Sequence, residues 1–237
     1  MAETKSAPTE LGTEKIWKLI QNYALPAIIA MTASSLYNMV DSVFVGQGVG
    51  PLAISGLAVT FPLMNLSTAF GTLVGVGGAT ILSILLGQKN YEGTNKVLSN
   101  IVTLNIIIGF LFAVVALAFL DPILIFFGAS DNTIVYAREY MQIILYGNII
   151  SHVYFGLNGA MRATGSPKMA MGLTIFTVLF NTALDPIMIF MMGMGIRGAA
   201  WATIISQFIA MLIALWHFTR KDRTVHFDKG ILRLDLR

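Results

Sequence analysis

The sequence predicts an all-α, polytopic membrane protein whose six transmembrane helices form one bundle. Hydrophobic residues make up 56% of the 237 residues and charged residues only 11%, whereas about 25% of the residues in soluble domains are charged. The charges also leave long intervals free, and about 20 apolar residues suffice for a helix to cross a membrane. No interval alternates apolar and polar residues at every second position, as the strands of membrane barrels do. These observations exclude a soluble globular domain and a barrel.

The intervals without charge place the helices in order. Between Lys18 and Asp41 there are 22 uncharged residues, and the 47 between Asp41 and Lys89 suffice for the end of the first helix, a turn and a second helix. Later intervals of 24, 22 and 22 residues give the third, fourth and sixth helices, and the interval for the fifth contains a single charge, Asp185. Glycine and proline, which break helices, stand in the connections. We expect helices at 16–45, 52–86, 97–120, 133–162, 168–192 and 198–219.

The distribution of positive charge predicts the orientation of the bundle. Thirteen of the 15 Lys and Arg residues fall on the side that holds both ends of a six-helix bundle, and loops rich in Lys and Arg stay in the cytoplasm. We therefore expect a multi-pass protein of the cell (inner) membrane with both termini cytoplasmic. The predicted organisation is a cytoplasmic segment at 1–15, a six-helix lobe at 16–220 and a cytoplasmic amphipathic linker at 221–237, with residues 90–100 joining the second and third helices along the inner face.

Two carboxylates, Asp41 and Asp185, fall inside predicted helices. Inserting an Asp at the centre of a transmembrane helix costs about 2.5 to 3.5 kcal/mol, so a carboxylate at such a place is a candidate for function. Both residues lie in the outer half of their helices. Their matching depths allow a single site to use both.

Each carboxylate continues a stripe of polar residues spaced three or four positions apart, and the fourth and sixth helices carry polar residues that are mostly so spaced, which places each set on one face of its helix. Such a face must contact protein or water rather than lipid. The stripes either line a cavity or hold the bundle together by hydrogen bonds between helices. They comprise Ser34, Asn38 and Asp41 on the first helix, Tyr140, Asn148, Ser151, Asn158 and Arg162 on the fourth, Thr174, Thr177, Asn181 and Asp185 on the fifth, and Thr203 and Gln207 on the sixth.

Carboxylate, amide and hydroxyl oxygens in this pattern favour a small hard cation or protons as the ligand. Na⁺ could bind the oxygens of Asp41, Asn181, Asp185 and Thr203, because hard cations prefer oxygen ligands. The same carboxylates could instead take up protons. The choice between Na⁺ and H⁺ stays open at this point.

Pro26 and Pro62 lie inside the first and second predicted helices. Proline removes a backbone hydrogen bond, so each can kink its helix. The kink is either a static bend or a hinge that moves when the site opens. In the fourth helix, His152 is either a structural, hydrogen-bonded residue or a proton relay.

Signatures of enzymes and nucleotide-binding proteins are missing from the sequence. There is no cysteine, which excludes thiol nucleophiles and iron–sulfur clusters. There is also no phosphate-binding Walker loop, no HExxH motif and no Ser-His-Asp arrangement. We expect no enzymatic activity, no organic cofactor, and neither nucleotide nor nucleic acid as a partner.

Five segments carry a family resemblance: YNMVDSVFVGQ at 37–47, GQKN at 87–90, RATGSPK at 162–168, NTALDPIMIF at 181–190 and GIRGAAWATIISQ at 195–207. Their order and spacing resemble those of the MATE (multidrug and toxic compound extrusion) transporters of the MOP flippase superfamily. The resemblance implies a protein of twelve helices in two lobes, which exports organic cations and drugs in exchange for Na⁺ or H⁺. This chain looks like the N-terminal lobe, and we expect it to be a fragment of a longer gene product rather than half of a parallel homodimer.

The resemblance also implies roles for individual residues. Ion coupling falls to Asp41, Asn181 and Asp185, with Thr203 and Tyr140 in the same network and Tyr140 preferred over two neighbouring tyrosines. Pro26 matches a proline whose bending has been linked to proton coupling. Supporting positions around the cleft are Ser34, Asn38, Asn148, Asn158 and Thr177.

Two alternative functions stay open on the sequence. One is a lipid-linked or polysaccharide flippase of the same superfamily, in which we would expect more cationic residues along the cleft to hold pyrophosphate. The other is a non-transporting half or assembly subunit.

Overall fold

The computed structural model describes residues 15–220 and 224–227, and every regular element in these ranges is helical. The predicted all-α membrane fold is confirmed. In chain order the elements are α1 (Ile16–Gly48), α2 (Pro51–Gly87), α3 (Tyr91–Ala118), α4 (Leu120–Phe126), α5 (Ile134–Tyr146), α6 (Asn148–Ala163), α7 (Pro167–Pro186), a π-helical turn (Ile187–Met191) and α8 (Ile196–Thr219).

Among the described residues, five helices are long and apolar enough to cross a membrane: α1, α2, α3, α7 with its π-helical turn, and α8. The predicted fourth helix consists of α5 and α6, which are separated at Gly147. Helical hydrogen bonds continue through the break, from Gly147 N to Ile143 O (3.1 Å) and from Ser151 N to Gly147 O (3.2 Å). A Cβ atom at Gly147 would lie 2.3 Å from Ile204 Cδ1 of α8. The glycine therefore allows α8 to approach the break.

The connection between α2 and α3 is shorter than the sequence predicts. Asn90 caps α3, because its side-chain oxygen accepts a hydrogen bond from Gly93 N at 2.9 Å, and residues from Tyr91 onward are helical. The expected surface segment at 90–100 is thus mostly the first turns of α3. The short helix α4 is a further element that the sequence does not predict.

Two apolar clusters hold the helices together, one toward each end of the bundle, and we name these ends outer and inner after the orientation that the sequence predicts. The outer cluster centres on α5 and the start of α8, with Met141 and Ile196 among its buried residues. The inner cluster joins α2, α3 and α6 to the end of α8, with Leu98 and Phe218 among its buried residues. Burial of these side chains supplies much of the packing energy that keeps the polar faces in register.

Small residues bring α2 and α6 close together. A Cβ atom at Gly75 would lie only 3.3 Å from the Cα atom of Gly156. Gly71, one turn earlier on α2, lies against the ring of His152. The two helices pack with little between their backbones, as small residues permit in membranes.

The segment after α8 is described only at residues 224–227, which are not helical. Val225 and Phe227 are buried in the inner cluster, and Phe227 N donates a hydrogen bond to Phe218 O at 3.0 Å. The rest of the predicted amphipathic linker at 221–237, and residues 1–14 of the cytoplasmic segment, lie outside the described residues.

Candidate functional site

The two carboxylates within the membrane-spanning helices come together where α1 packs on α7. Asp41 is 4% exposed and Asp185 is fully buried, and the two are near enough to interact electrostatically. The two side chains lie close together, as their matching depths in α1 and α7 predict. The charge of either carboxylate therefore acts on the other in a region with little water.

Several oxygens of this cluster have no hydrogen-bond partner among the described residues: Asp41 Oδ1, Asn181 Oδ1 and both carboxylate oxygens of Asp185. A buried polar atom without a partner typically costs about 1 to 3 kcal/mol. Four such atoms around one place form a set of acceptors whose chemistry suits a proton or a cation. We call Asp41, Asn181 and Asp185 the acidic cluster.

Thr203 of α8 closes the acidic cluster on one side. Its hydroxyl donates a hydrogen bond to Ala199 O at 3.1 Å and accepts one from Asn181 Nδ2 at 3.3 Å. The phenolic oxygen of Tyr37 lies 2.8 Å from the same hydroxyl. Either hydroxyl can donate in this contact, and Tyr37 is the donor whenever Thr203 directs its single hydroxyl proton to Ala199.

Tyr140 of α5 lies beside the same groups. Its side chain is 1% exposed and interacts with Asp41, Tyr37 and Thr203. Of its neighbours, Tyr146 is 67% exposed and Tyr136 packs against Gly56 of α2. Tyr140 is thus the tyrosine of α5 that reaches the acidic cluster.

Tyr37 is a site residue outside the predicted set. It stands four positions before Asp41 in the YNMVD motif, which places both on one face of α1. That spacing is the feature of the sequence that predicts a place for Tyr37 beside Asp41. The predicted stripe of Ser34, Asn38 and Asp41 leaves the tyrosine out.

A cavity of about 490 Å³ opens from Tyr37, Asn181 and Thr203 toward the inner end of the bundle. Its walls come from α1, α2, α6, α7 and α8. The lining residues are mostly hydroxyl, amide and aromatic side chains: Ser34, Tyr37, Phe61, Met64, Asn65, Thr68, Tyr154, Phe155, Asn158, Arg162, Thr174, Thr177, Val178, Asn181, Thr203, Ser206 and Gln207.

Three of the predicted supporting residues, Ser34, Asn158 and Thr177, line this cavity. Asn158 Nδ2 donates to Ala170 O at 3.1 Å, and the hydroxyl of Thr177 lies 3.3 Å from that of Tyr154. Both contacts join α6 to α7, so the polar stripes of these helices line the cavity and hold its walls together.

Asn148 lies elsewhere, in a second buried network between α2, α3 and α6. Ser67 Oγ donates to Asn148 Oδ1 at 2.6 Å and lies 3.1 Å from His152 Nε2. Asn148 Nδ2 donates to Gly109 O at 2.9 Å. These bonds give Asn148 and His152 a role in the packing of α2, α3 and α6. We expected Asn148 to support the cavity, but it lies in this network and not among the residues that line the cavity.

The two predicted helix-bending prolines lie inside long helices. Pro26 is buried within α1 and Pro62 is exposed within α2, and both helices continue across their prolines. The side chain of Asn38 lies outside the described part of the chain. Within that part, no three His, Cys, Asp or Glu side chains group as a metal site, so a cation at the acidic cluster would rely on amide and hydroxyl oxygens beside two carboxylates.

A sequence model of one transporter family, MatE, matches residues 26–187 of the chain. The chain belongs to the MatE family. The resemblance that the five segments indicate is thereby confirmed, and as a MatE protein with several apolar helices the chain is a multi-pass membrane protein.

Known proteins similar to this MatE chain include the multidrug export protein MepA of Staphylococcus haemolyticus, which is 34% identical over 213 residues, covering 90% of the chain and 47% of MepA. A crystal structure of MATE in the straight conformation aligns with a TM-score of 0.87 and 27% identity, covering 98% of the chain and 52% of that protein. A structure of MATE in the bent conformation gives a TM-score of 0.82 and 30% identity, covering 88% and 47%. The chain spans about half the length of these proteins and corresponds to one lobe of a MATE transporter.

Proposed function

We propose that the chain is the N-terminal lobe of a cation-coupled antiporter that exports organic cations and drugs by alternating access. The observation that carries this proposal is the acidic cluster, whose unpartnered oxygens adjoin the cavity through Asn181 and Thr203. An ion that binds there and a substrate that enters the cavity would share the same helices. Alternating access requires such a shared site between elements that can move relative to one another.

The coupling step is proposed to be cation or proton binding at Asp41 and Asp185. Two nearby carboxylates away from water repel each other, and a cation or a proton between them removes that repulsion. Occupancy would therefore favour the arrangement in which α1 and α7 hold the pair together. Loss of the ion would favour an arrangement in which the carboxylates separate, and this difference in affinity would drive exchange.

The cavity supports organic cations as the substrates. Its volume of about 490 Å³ falls within the range of roughly 300 to 1,000 Å³ that drug-sized ligands use. Phe61, Tyr154 and Phe155 offer aromatic faces, which attract cations. The carboxylates beyond Asn181 add a favourable potential for positive charge.

The alternative of a lipid-linked or polysaccharide flippase finds less support. Pyrophosphate recognition calls for several Arg or Lys side chains, and Arg162 is the sole cationic side chain among the described residues that line the cavity. Arg197, the other candidate, pairs with Glu139 at 2.8 Å toward the outer end of the bundle.

We further propose that the second lobe belongs to the same gene product. We also propose that the protein lies in the cell (inner) membrane and that both ends of this chain face the cytoplasm. The protein would act as a transporter and not as an enzyme, without a cofactor and with Na⁺ or H⁺ as its coupling ion. Six more spans downstream in the same reading frame would distinguish it from a non-transporting subunit.

The test is ethidium efflux by the full-length gene product in proteoliposomes, with Na⁺ and pH gradients imposed separately. We expect one of the two ion gradients to drive ethidium against its own concentration gradient and the other to have little effect. The gradient that drives transport identifies the coupling ion. If neither gradient drives efflux, the antiporter proposal is wrong.

A further inference from the structure

We propose that Trp216 and Arg220, at the inner end of α8, bind the phosphate headgroup of an anionic phospholipid in the surrounding membrane. The site lies on the surface of the bundle that faces away from the cavity, so it is independent of the exported substrate and of the coupling ion. It follows from the exposed face of α8 and from the different neighbours of the arginine at each end of that face.

The exposed face of α8 is apolar along the whole span. Between Arg197 and Thr219 the exposed residues, which are 40% to 58% exposed, are Trp201, Phe208, Leu212 and Trp216. Their spacing of seven, four and four positions places them on one side of the helix, and we call them the exposed stripe of α8. Thr203 and Ser206 are buried and line the cavity. The exposed stripe therefore points away from the cavity.

The exposed stripe fits the thickness of a lipid bilayer. Trp201 and Trp216 are 15 residues apart, which is about 22 Å at a rise of 1.5 Å per residue. Arg197 precedes the first tryptophan by four positions and Arg220 follows the second by four. The hydrocarbon core of a bilayer is about 30 Å thick, and Trp is enriched at both of its edges. Lipid is therefore the occupant that this face of α8 fits.

The arginines at the two ends of the stripe have different neighbours. Arg197 Nη2 donates a hydrogen bond to Glu139 Oε1 at 2.8 Å, so a carboxylate of the protein balances its charge. Arg220 lies over the indole ring of Trp216, with its Cζ atom 5.3 Å from the ring centroid. This cation–π contact holds the guanidinium beside a ring that stands at the depth of the lipid headgroups.

A guanidinium at this depth is suited to bind a phosphate. Because it has five N–H donors, it can bind two phosphate oxygens in addition to its other contacts. Lys221 and Arg223 follow in the sequence, and each cation near the membrane surface adds attraction for anionic lipids. The inner end of the exposed stripe therefore favours an anionic headgroup over a zwitterionic one, whereas the outer end has no such preference.

The experiment measures how brominated lipids quench the fluorescence of one tryptophan in the full-length protein. Trp216 is the remaining tryptophan in one variant and Trp201 in a second, with every other tryptophan replaced by Phe. Vesicles contain equal amounts of phosphatidylglycerol and phosphatidylcholine, and the bromine atoms are on the acyl chains of one lipid or of the other. The ratio of the two quenching values gives the lipid preference beside that tryptophan. Trp201 is the matched control, since it lies on the same stripe near the paired Arg197.

We expect phosphatidylglycerol to be enriched about fivefold beside Trp216 and R220Q to remove most of this preference, because one cation near an anionic surface contributes about that factor. R220K should keep part of the preference, since Lys retains the charge and loses the planar fork. R197Q should leave the ratio at Trp216 unchanged. Beside Trp201 the ratio should be close to one.

Equal quenching of Trp216 by the two lipids, or a preference that persists in R220Q, would overturn the headgroup site. Absence of quenching by either lipid would also overturn it, because protein would then cover the exposed stripe. High salt provides a test that needs no substitution. It should weaken the preference beside Trp216 in the protein with Arg220 intact, and a preference unchanged by salt would contradict a charged headgroup as the ligand.

Discussion

The phenolic oxygen of Tyr37 lies 2.8 Å from the hydroxyl oxygen of Thr203. This contact joins α1, which carries Asp41 one turn further on, to α8, whose Thr203 also accepts a hydrogen bond from Asn181. Any movement of α1 away from α8 must break it. The pair therefore couples the position of α1 to the acidic cluster.

The Tyr37–Thr203 contact predicts a measurable interaction energy. We expect Y37F and T203V each to lower the free energy of unfolding, by about 1 kcal/mol for the lost hydrogen bond of the tyrosine, and the double variant to lose less than the sum. The coupling energy should be near 0.6 kcal/mol, as for other hydrogen bonds between membrane helices. Reversible unfolding in mixed micelles measures the cycle. Strict additivity, or an equal effect of Y146F at an exposed tyrosine, would argue against the contact.

The approach of α2 to α6 predicts that Gly75 tolerates no larger side chain. G75V places atoms where a Cβ alone would already lie 3.3 Å from Gly156 Cα, so we expect a loss of about 1 to 3 kcal/mol from overpacking. G77V is the control, since a Cβ at Gly77 meets nothing within 4 Å. The melting temperatures of the two detergent-solubilised variants test this prediction. Similar melting temperatures for G75V and G77V would contradict the close packing of α2 on α6.

The proposed orientation can be tested by labelling single cysteines, because the chain has none of its own. In a full-length background without cysteine, N132C should react with a membrane-impermeant maleimide added to intact cells. Q88C, at an exposed turn on the opposite side, should react only after the cells are permeabilised. The reverse pattern would invert the proposed topology.

The sequence predicts those parts of the fold that charge alone determines. The charge-free intervals place five long helices and a sixth helical region, because a charge in lipid is costly and every span must avoid it. The proximity of Asp41 and Asp185 follows from the same cost of placing a charge in lipid. Two carboxylates at equal depth avoid lipid most readily when both face one polar region of the bundle.

Charge and hydropathy along the sequence do not predict features that depend on contacts between helices. The break at Gly147 lies where Ile204 of α8 packs against α5 and α6. The start of α3 depends on the cap that Asn90 provides. The hydropathy of the sequence indicates neither feature. Asn148 shares the helical stripe of Asn158 by spacing. It nevertheless faces Ser67 rather than the cavity, because α6 is packed on both sides and its polar residues divide between two neighbours.

The central claim, that Asp41 and Asp185 couple an ion gradient to export, is tested most directly by D41N and D185N in proteoliposomes containing the full-length protein. Both variants should fold, since a neutral amide is less costly to bury than a carboxylate, and both should still bind ethidium. D131N changes an exposed carboxylate of the outer connection and serves as the matched control. We predict that gradient-driven ethidium transport by D41N and D185N falls to the level of empty liposomes while D131N remains active. Full gradient-driven transport by both D41N and D185N would contradict the account.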